Sequence, residues 1–210
     1  MYCAIHDASL SNHVRNFGTM PYLLMTPYQW VFIAMEIVNV VGTAQLNCEI
    51  DLIDFVGKMS NIVYNRHQFS GAVWKSHVIK ATCLIFGNGK LVITGAKSAT
   101  HCKQAARQYG RIVQKLGYDA KFSHFKTQTI TSVKRTGRRI CLNSLSQLLG
   151  NQANYNPEIF PGLVYTVAAT RIKCIVHNGG TIILSGANSR REINEVYPDI
   201  LLNVLMCTIE

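Results

Sequence analysis

The sequence predicts an α+β fold made of two pseudo-symmetric repeats whose strands form antiparallel sheet. Three observations carry this. A spacing of 91 residues links Phe69 to Phe160, Lys80 to Arg171, Gly89 to Gly180 and Gly95-Ala96 to Gly186-Ala187. An offset held over some thirty residues marks a duplicated unit. Each copy also runs strand, helix, strands, helix, with alternation in its strands and helical spacing in its last element.

The elements follow in order. Residues 39–46 alternate and are rich in valine, as a half-buried strand should be. Residues 51–60 read as a short helix, and 73–79, 81–86 and 91–94 as consecutive antiparallel strands. Gly87-Asn88-Gly89 is a hairpin turn, because Gly and Asn tolerate positive φ. Ser98 caps a long helix over 99–116 that Gly117 closes. Residues 122–128 read as a bridge. In the second copy, 141–149 is a helix, and 162–168, 172–177 and 181–185 are strands, with a hairpin at Asn178-Gly179-Gly180. The last helix starts near Ser189. Ser98 to Tyr109 is eleven residues and Ser189 to Tyr197 only eight, so this helix is expected to lack about one turn. The expected division is an N-terminal extension at 1–36, a first repeat at 37–125 and a second at 126–210.

Composition narrows the function. Hydrophobic residues make up 48% and charged residues 15% of the 210, which suits a globular chain. Seven scattered cysteines, with no C-x-x-C pair and no histidines at zinc spacing, read as reduced, buried thiols. The apolar stretch 20–35 is broken by Pro21 and Pro27 and is too short for a membrane span, so no membrane partner is expected. The net charge of +10 is uneven: −4 over 1–57, +15 over 58–139 and −1 over 140–210. The central 82 residues hold one carboxylate, Asp119, and a polyanion is the usual partner of such a segment. No P-loop, G-x-S-x-G, paired-histidine or carboxylate constellation is present, so neither enzyme nor cofactor is expected.

The motifs resemble the TATA-box-binding protein family, in a divergent form. CLIFGNGKLVITGAKS at 83–98, Ala105 to Tyr109, Val113 to Gly117, Ala120 to Phe122, and Pro157 to Tyr165 carry the likeness, which spans roughly 37–205. It implies a saddle: one curved antiparallel sheet with helices on the convex face and the minor groove of duplex DNA on the concave one. Wedge insertion and kinking are family properties carried by that resemblance.

Residue chemistry fits this reading. Alternation puts Asn39 with Val41, Leu84 with Phe86, and Val92 with Thr94. An apolar face with a central amide suits A·T pairs, whose minor groove offers acceptors and no amino group. Asn39 and Thr94 can donate to those acceptors. The resemblance makes Phe69 and Phe86 a pair of wedges and Lys75, Lys80, Lys90 and Lys97 phosphate contacts. Taken singly, Val41, Leu84 and Val92 read as core and the lysines as a solvated face. The repeat context reverses this for the first copy.

The second copy departs from the first. Thr129 and Thr131 replace Asn39 and Val41 once a one-residue gap is allowed. Phe160 is kept, but its partner is His177. Ile175 and Ile183 stand for Leu84 and Val92, and Ser185 for Thr94. At the lysine positions stand Thr166, Arg171, Thr181 and Asn188, so one cation of four remains. Three lost phosphate contacts would lower the salt slope by ~2–3, and weak or relaxed binding is expected there. The cluster Lys134, Arg135, Arg138 and Arg139 lies off those positions, and DNA or an acidic partner stays open for it.

The resemblance also implies partners: transcription factor IIA at the first stirrup loop and IIB at the second, where Asn156, Glu158 and Ile159 stand. TBP-associated factors are implied at the long helix with Lys103, Arg107, Arg111 and Lys115. The leading expectation is a nuclear, DNA-binding factor for transcription initiation. The alternative is a protein-interaction module that recruits or sequesters basal factors with weak DNA binding. Homodimerisation of the free protein stays open.

Overall fold

Residues 34–209 are described by a computed structural model. The expectation for an N-terminal extension falls almost wholly on residues outside this range.

Among the described residues, twelve strands and four α-helices follow the repeat. In the first copy these are β1 (Glu36–Gln45), α1 (Leu52–Gly57), β2 (Ile62–Val63), β3 (Gly71–Lys75), β4 (Thr82–Phe86), β5 (Lys90–Ala96) and α2 (Ala99–Lys115). The second copy has β6 (Ser123–Arg135), β7 (Arg139–Ile140), α3 (Leu142–Leu149), β8 (Ala153–Asn154), β9 (Gly162–Thr166), β10 (Lys173–His177), β11 (Thr181–Ala187), α4 (Arg190–Met206) and β12 (Thr208–Ile209). Ten strands form one antiparallel sheet, ordered β2-β3-β4-β5-β1-β6-β11-β10-β9-β8. Its order is symmetric about the β1–β6 pair. The strands β7 and β12 pair separately.

One face of the sheet is covered by the helices. Val40 and Ala44 of β1, Cys83 and Ile85 of β4, and Leu91 and Ile93 of β5 are buried there with Cys102, Ala106, Tyr109 and Val113 of α2. Burial of such side chains contributes about 1.5–3 kcal/mol each. Ser98 caps α2 by accepting from the His101 amide, and Ser189 caps α4 by accepting from that of Glu192. Tyr109 ties helix to sheet, donating to the Ala81 carbonyl at 2.7 Å and packing edge-on against Trp74. Phe55 of α1 meets the same tryptophan.

Three expectations are corrected. The last helix has not lost a turn: α2 and α4 both have 17 residues. The 91-residue spacing runs through the buried positions of both, from Cys102 to Ile193, Ala106 to Tyr197, Tyr109 to Ile200 and Val113 to Val204. Tyr197 therefore takes the place of Ala106, not of Tyr109. The expected bridge at 122–128 is instead mostly strand, the first half of the 13-residue β6. The expected strand 73–79 ends at Lys75, where Ser76 Oγ accepts from the Val78 and Ile79 amides and turns the chain.

Candidate nucleic-acid interface

The face opposite the helices carries the side chains that alternate with the buried set. Cross-strand register builds two matching rows. In the first half Val73 pairs with Leu84, Leu84 with Val92, and Val92 with Thr43. In the second, Val164 pairs with Ile175, Ile175 with Ile183, and Ile183 with Val133. At the centre Asn39 pairs with Thr131 and Val41 with Thr129. That reciprocity makes Thr129 the counterpart of Asn39 and Thr131 that of Val41, so the one-residue gap is correct. All of these side chains are half-buried, an apolar and hydroxyl-lined floor within reach of a ligand.

The central polar groups are oriented by backbone. A β-bulge at Gly95, with φ +89, turns its amide toward Asn39, whose Oδ1 accepts it at 2.8 Å. The Thr94 hydroxyl donates to the same oxygen at 3.4 Å. An amide N–H needs an acceptor, so Oδ1 is the inward atom and the Asn39 NH2 group keeps its donors for the open face. In the second repeat the Gly186 amide donates to Thr129 Oγ1 at 3.1 Å. Threonine thus keeps the acceptor role and leaves one hydroxyl hydrogen where asparagine leaves two N–H groups. Thr131 and Ser185 place their hydroxyl oxygens 3.5 Å apart.

An aromatic pair stands at each end of the floor. The rings of Phe69 and Phe86 lie 5.6 Å apart at 67°, and those of Phe160 and His177 lie 5.9 Å apart at 62°. Phe69 is 40% and Phe160 39% exposed, so neither is a core residue. Sequence reasoning missed what lies beneath them. A Cβ on Gly71 would sit 3.0 Å from both Phe69 and Phe86, and one on Gly162 would sit 2.7 Å from Phe160 and 3.2 Å from His177. Only glycine leaves each pair its seat. The loops leading in are alike: Asn65 accepts from the Phe69 amide through its carbonyl, and Asn156 from that of Phe160. Asn156 Oδ1 also accepts from the Glu158 amide, so this side chain shapes its loop.

Lys75, Lys80, Lys90 and Lys97 are exposed in the first half and Arg171 in the second. Strand alternation also places Arg135 of β6, one of the sequence-noted basic cluster, and Lys173 of β10, which sequence reasoning passed over, on the open face, both exposed. Lys126 stands beside Thr43 and Glu36 beside Val133, so the two ends of the central pair differ in charge. Only pairing partners reveal this, and they were not available in the sequence.

The remaining candidates lie off this face. Glu158 is exposed, and Ile159 is 81% exposed at the tip of its loop. Lys103, Arg107 and Arg111 are exposed along α2, with the Arg107 guanidinium 5.8 Å from the Phe122 ring.

Comparison with known proteins agrees with this architecture. The family model described as "Transcription factor TFIID (or TATA-binding protein, TBP)" matches residues 34–116 and 124–205. The chain is 39% identical over 162 residues to the TATA-box-binding protein of Candida albicans, covering 77% of this chain and 68% of that one. It is 41% identical over 162 residues to TATA-box-binding protein 1 of Triticum aestivum, covering 77% and 70%. The solved structure of Methanococcus jannaschii TBP superposes with a TM-score of 0.72 at 28% identity, covering 82% of this chain and 98% of that one. The chain therefore belongs to the TATA-binding protein family, with the saddle fold of that non-enzymatic transcription factor.

Proposed function

We propose that this chain is a nuclear promoter-binding factor that lays its open face in the minor groove of A·T-rich duplex DNA and recruits basal factors for transcription initiation. The observation that carries this is the open face itself. An apolar and hydroxyl-lined floor is bounded by two half-exposed aromatic pairs, with the Asn39 donors held outward at its centre by Gly95 and Thr94. A folded domain gains stability by burying such side chains, and duplex DNA with a smooth acceptor-lined groove is the ligand they fit. Phe69 with Phe86, and Phe160 with His177, act as wedges at the two ends. The exposed cations take phosphates. Glu158 and Ile159 are assigned to a IIB-type factor, the first stirrup loop to a IIA-type factor, and the basic side of α2 to associated factors.

The test is a salt-titrated binding assay of purified protein on a TATA duplex, a scrambled A·T-rich duplex and a G·C-rich duplex. Preference for A·T-rich duplex supports the proposal. Absence of binding to any duplex at low salt sinks it.

A second reading, a protein-docking saddle, is favoured by α4. Where α2 presents Arg111, Gln114 and Lys115, α4 presents the exposed Leu202, Leu205 and Met206. Promoter activity that survives alanine at Asn39, Phe69 and Phe86 would favour it.

A further inference from the structure

The cations missing from the second repeat reappear one strand away. In the first repeat Lys75 of β3 pairs across the ladder with Thr82 of β4. The corresponding pair in the second is Thr166 of β9 with Lys173 of β10: the same two residue types, exchanged between strands. The first repeat pairs Gln45 of β1 with Lys90 of β5, and the second pairs Arg135 of β6 with Thr181 of β11. Here too the cation has changed strands. All four positions share the parity of the open floor: Lys75 and Thr166 with Val73 and Val164, Lys173 with Ile175, and Arg135 with Val133.

We propose that Lys173 and Arg135 contact the DNA phosphate backbone in the second repeat and stand in for the cations absent at Thr166 and Thr181. This rests on the DNA-binding reading above. Cross-strand neighbours stand about 5 Å apart at Cα, less than the reach of a lysine or arginine, so the charge returns to nearly the same edge. Lysine is disfavoured in strands, so folding alone does not account for Lys173 in the middle of a sheet. Neither side chain forms an ion pair among the described residues, and both are exposed. Small Thr166 beside long Lys173 preserves the long-and-small packing that Lys75 and Thr82 make. The second repeat then holds three of four phosphate cations, with Arg171 for Lys80 and Asn188 alone uncompensated. A deficit of one contact, and not three, follows.

Both exchanges move charge toward the β1–β6 centre by one strand, about 4.8 Å. That compares with ~3.4 Å of duplex rise per nucleotide on one strand. The phosphates touched by the second half therefore lie about one nucleotide nearer the centre than those touched by the first.

The test measures log K against log salt on a TATA duplex for the full chain and for K173A, R135A and the double variant. K75A and K90A serve as first-repeat references. The expected slope falls by ~0.9 for each alanine and by twice that in the double variant, with equal loss on G·C-rich duplex. The back-exchanged T166K/K173T is expected to restore the slope. Phosphate-ethylation interference should show the inward shift. Unchanged slopes for K173A and R135A beside lowered slopes for K75A and K90A overturn this proposal and leave the DNA-binding reading standing. No binding by the unaltered chain overturns both. Circular dichroism of each variant verifies that it is folded, and T166K/K173T keeps the test open where an alanine variant misfolds.

Discussion

Asparagine 39 separates folding from recognition, because one end of its side chain serves each. Its oxygen accepts from the Gly95 amide at 2.8 Å and from the Thr94 hydroxyl at 3.4 Å. Its NH2 group faces the open floor. Replacement by aspartate keeps an oxygen where the Gly95 amide needs one. Hydrogen bonds of this kind contribute about 0.5–1.5 kcal/mol each, so stability should stay within ~0.5 kcal/mol of the unaltered protein. The outward donors become a carboxylate oxygen facing the acceptor edges of A·T pairs. Loss of a base-reading contact costs about 1–3 kcal/mol, or roughly 5- to 150-fold in affinity, before charge repulsion is added. Asn39→Thr reproduces the second-repeat arrangement, with an acceptor for the bulge amide and one hydroxyl hydrogen. It should fall between the two. Chemical denaturation reads stability, and fluorescence anisotropy on a TATA duplex reads affinity. If Asn39→Asp bound as tightly as the unaltered protein, the amide would not be reading bases and the reasoning would fail. If it unfolded the protein instead, the oxygen-inward assignment would be wrong.

Four further predictions follow from the structure. Gly162→Ala pushes a Cβ to 2.7 Å from Phe160, which is half-exposed and can swing aside, so DNA bending measured by energy transfer should drop with little change in Tm. Gly42→Ala meets Cys102 Sγ at 2.8 Å and the Phe125 ring at 3.0 Å in the core, and should instead cost about 1–3 kcal/mol on denaturation. His177→Phe completes the second aromatic pair and should tighten TATA binding by roughly 3- to 10-fold; unchanged affinity and bend would show that the second wedge does not insert. Burial pushes the Cys102 thiol up to about 11 and the Cys174 thiol up to about 12, so alkylation at pH 8 followed by mass spectrometry should label Cys48 well before either.

Much of the floor was legible in the sequence because strand alternation and the 91-residue spacing survive divergence. Leu84, Val92, Ile175 and Ile183 stand where alternation placed them, and Phe160 with His177 mirrors Phe69 with Phe86. The last helix looks a turn short in the sequence because Tyr197 resembles Tyr109 in residue type. Packing obeys helical position instead, and Tyr197 is buried at the helical position that Ala106 holds in the first copy. The start of β6 read as a bridge because the register shifts near Thr127 and Gln128, where a bulge interrupts the period-2 signal. The exchange of cations between strands is hidden in the sequence for a different reason, although Arg135 already stands out there in a basic cluster. Lys173 and Arg135 acquire meaning only opposite Thr166 and Thr181, and which residues face one another across a ladder is set by the fold, not by spacing along the chain.

The central claim is minor-groove reading by the open face, and inosine tests it most directly. Replacing each A·T pair of a TATA duplex by inosine·cytosine keeps the minor-groove pattern, because inosine lacks the guanine amino group, while the major groove becomes that of G·C. Affinity for the two duplexes should agree within about threefold, and a G·C duplex with its amino groups restored should bind far more weakly. If inosine·cytosine bound as poorly as G·C, the protein would not be reading the minor groove, and the account of Asn39, Thr129 and the floor between them would be wrong.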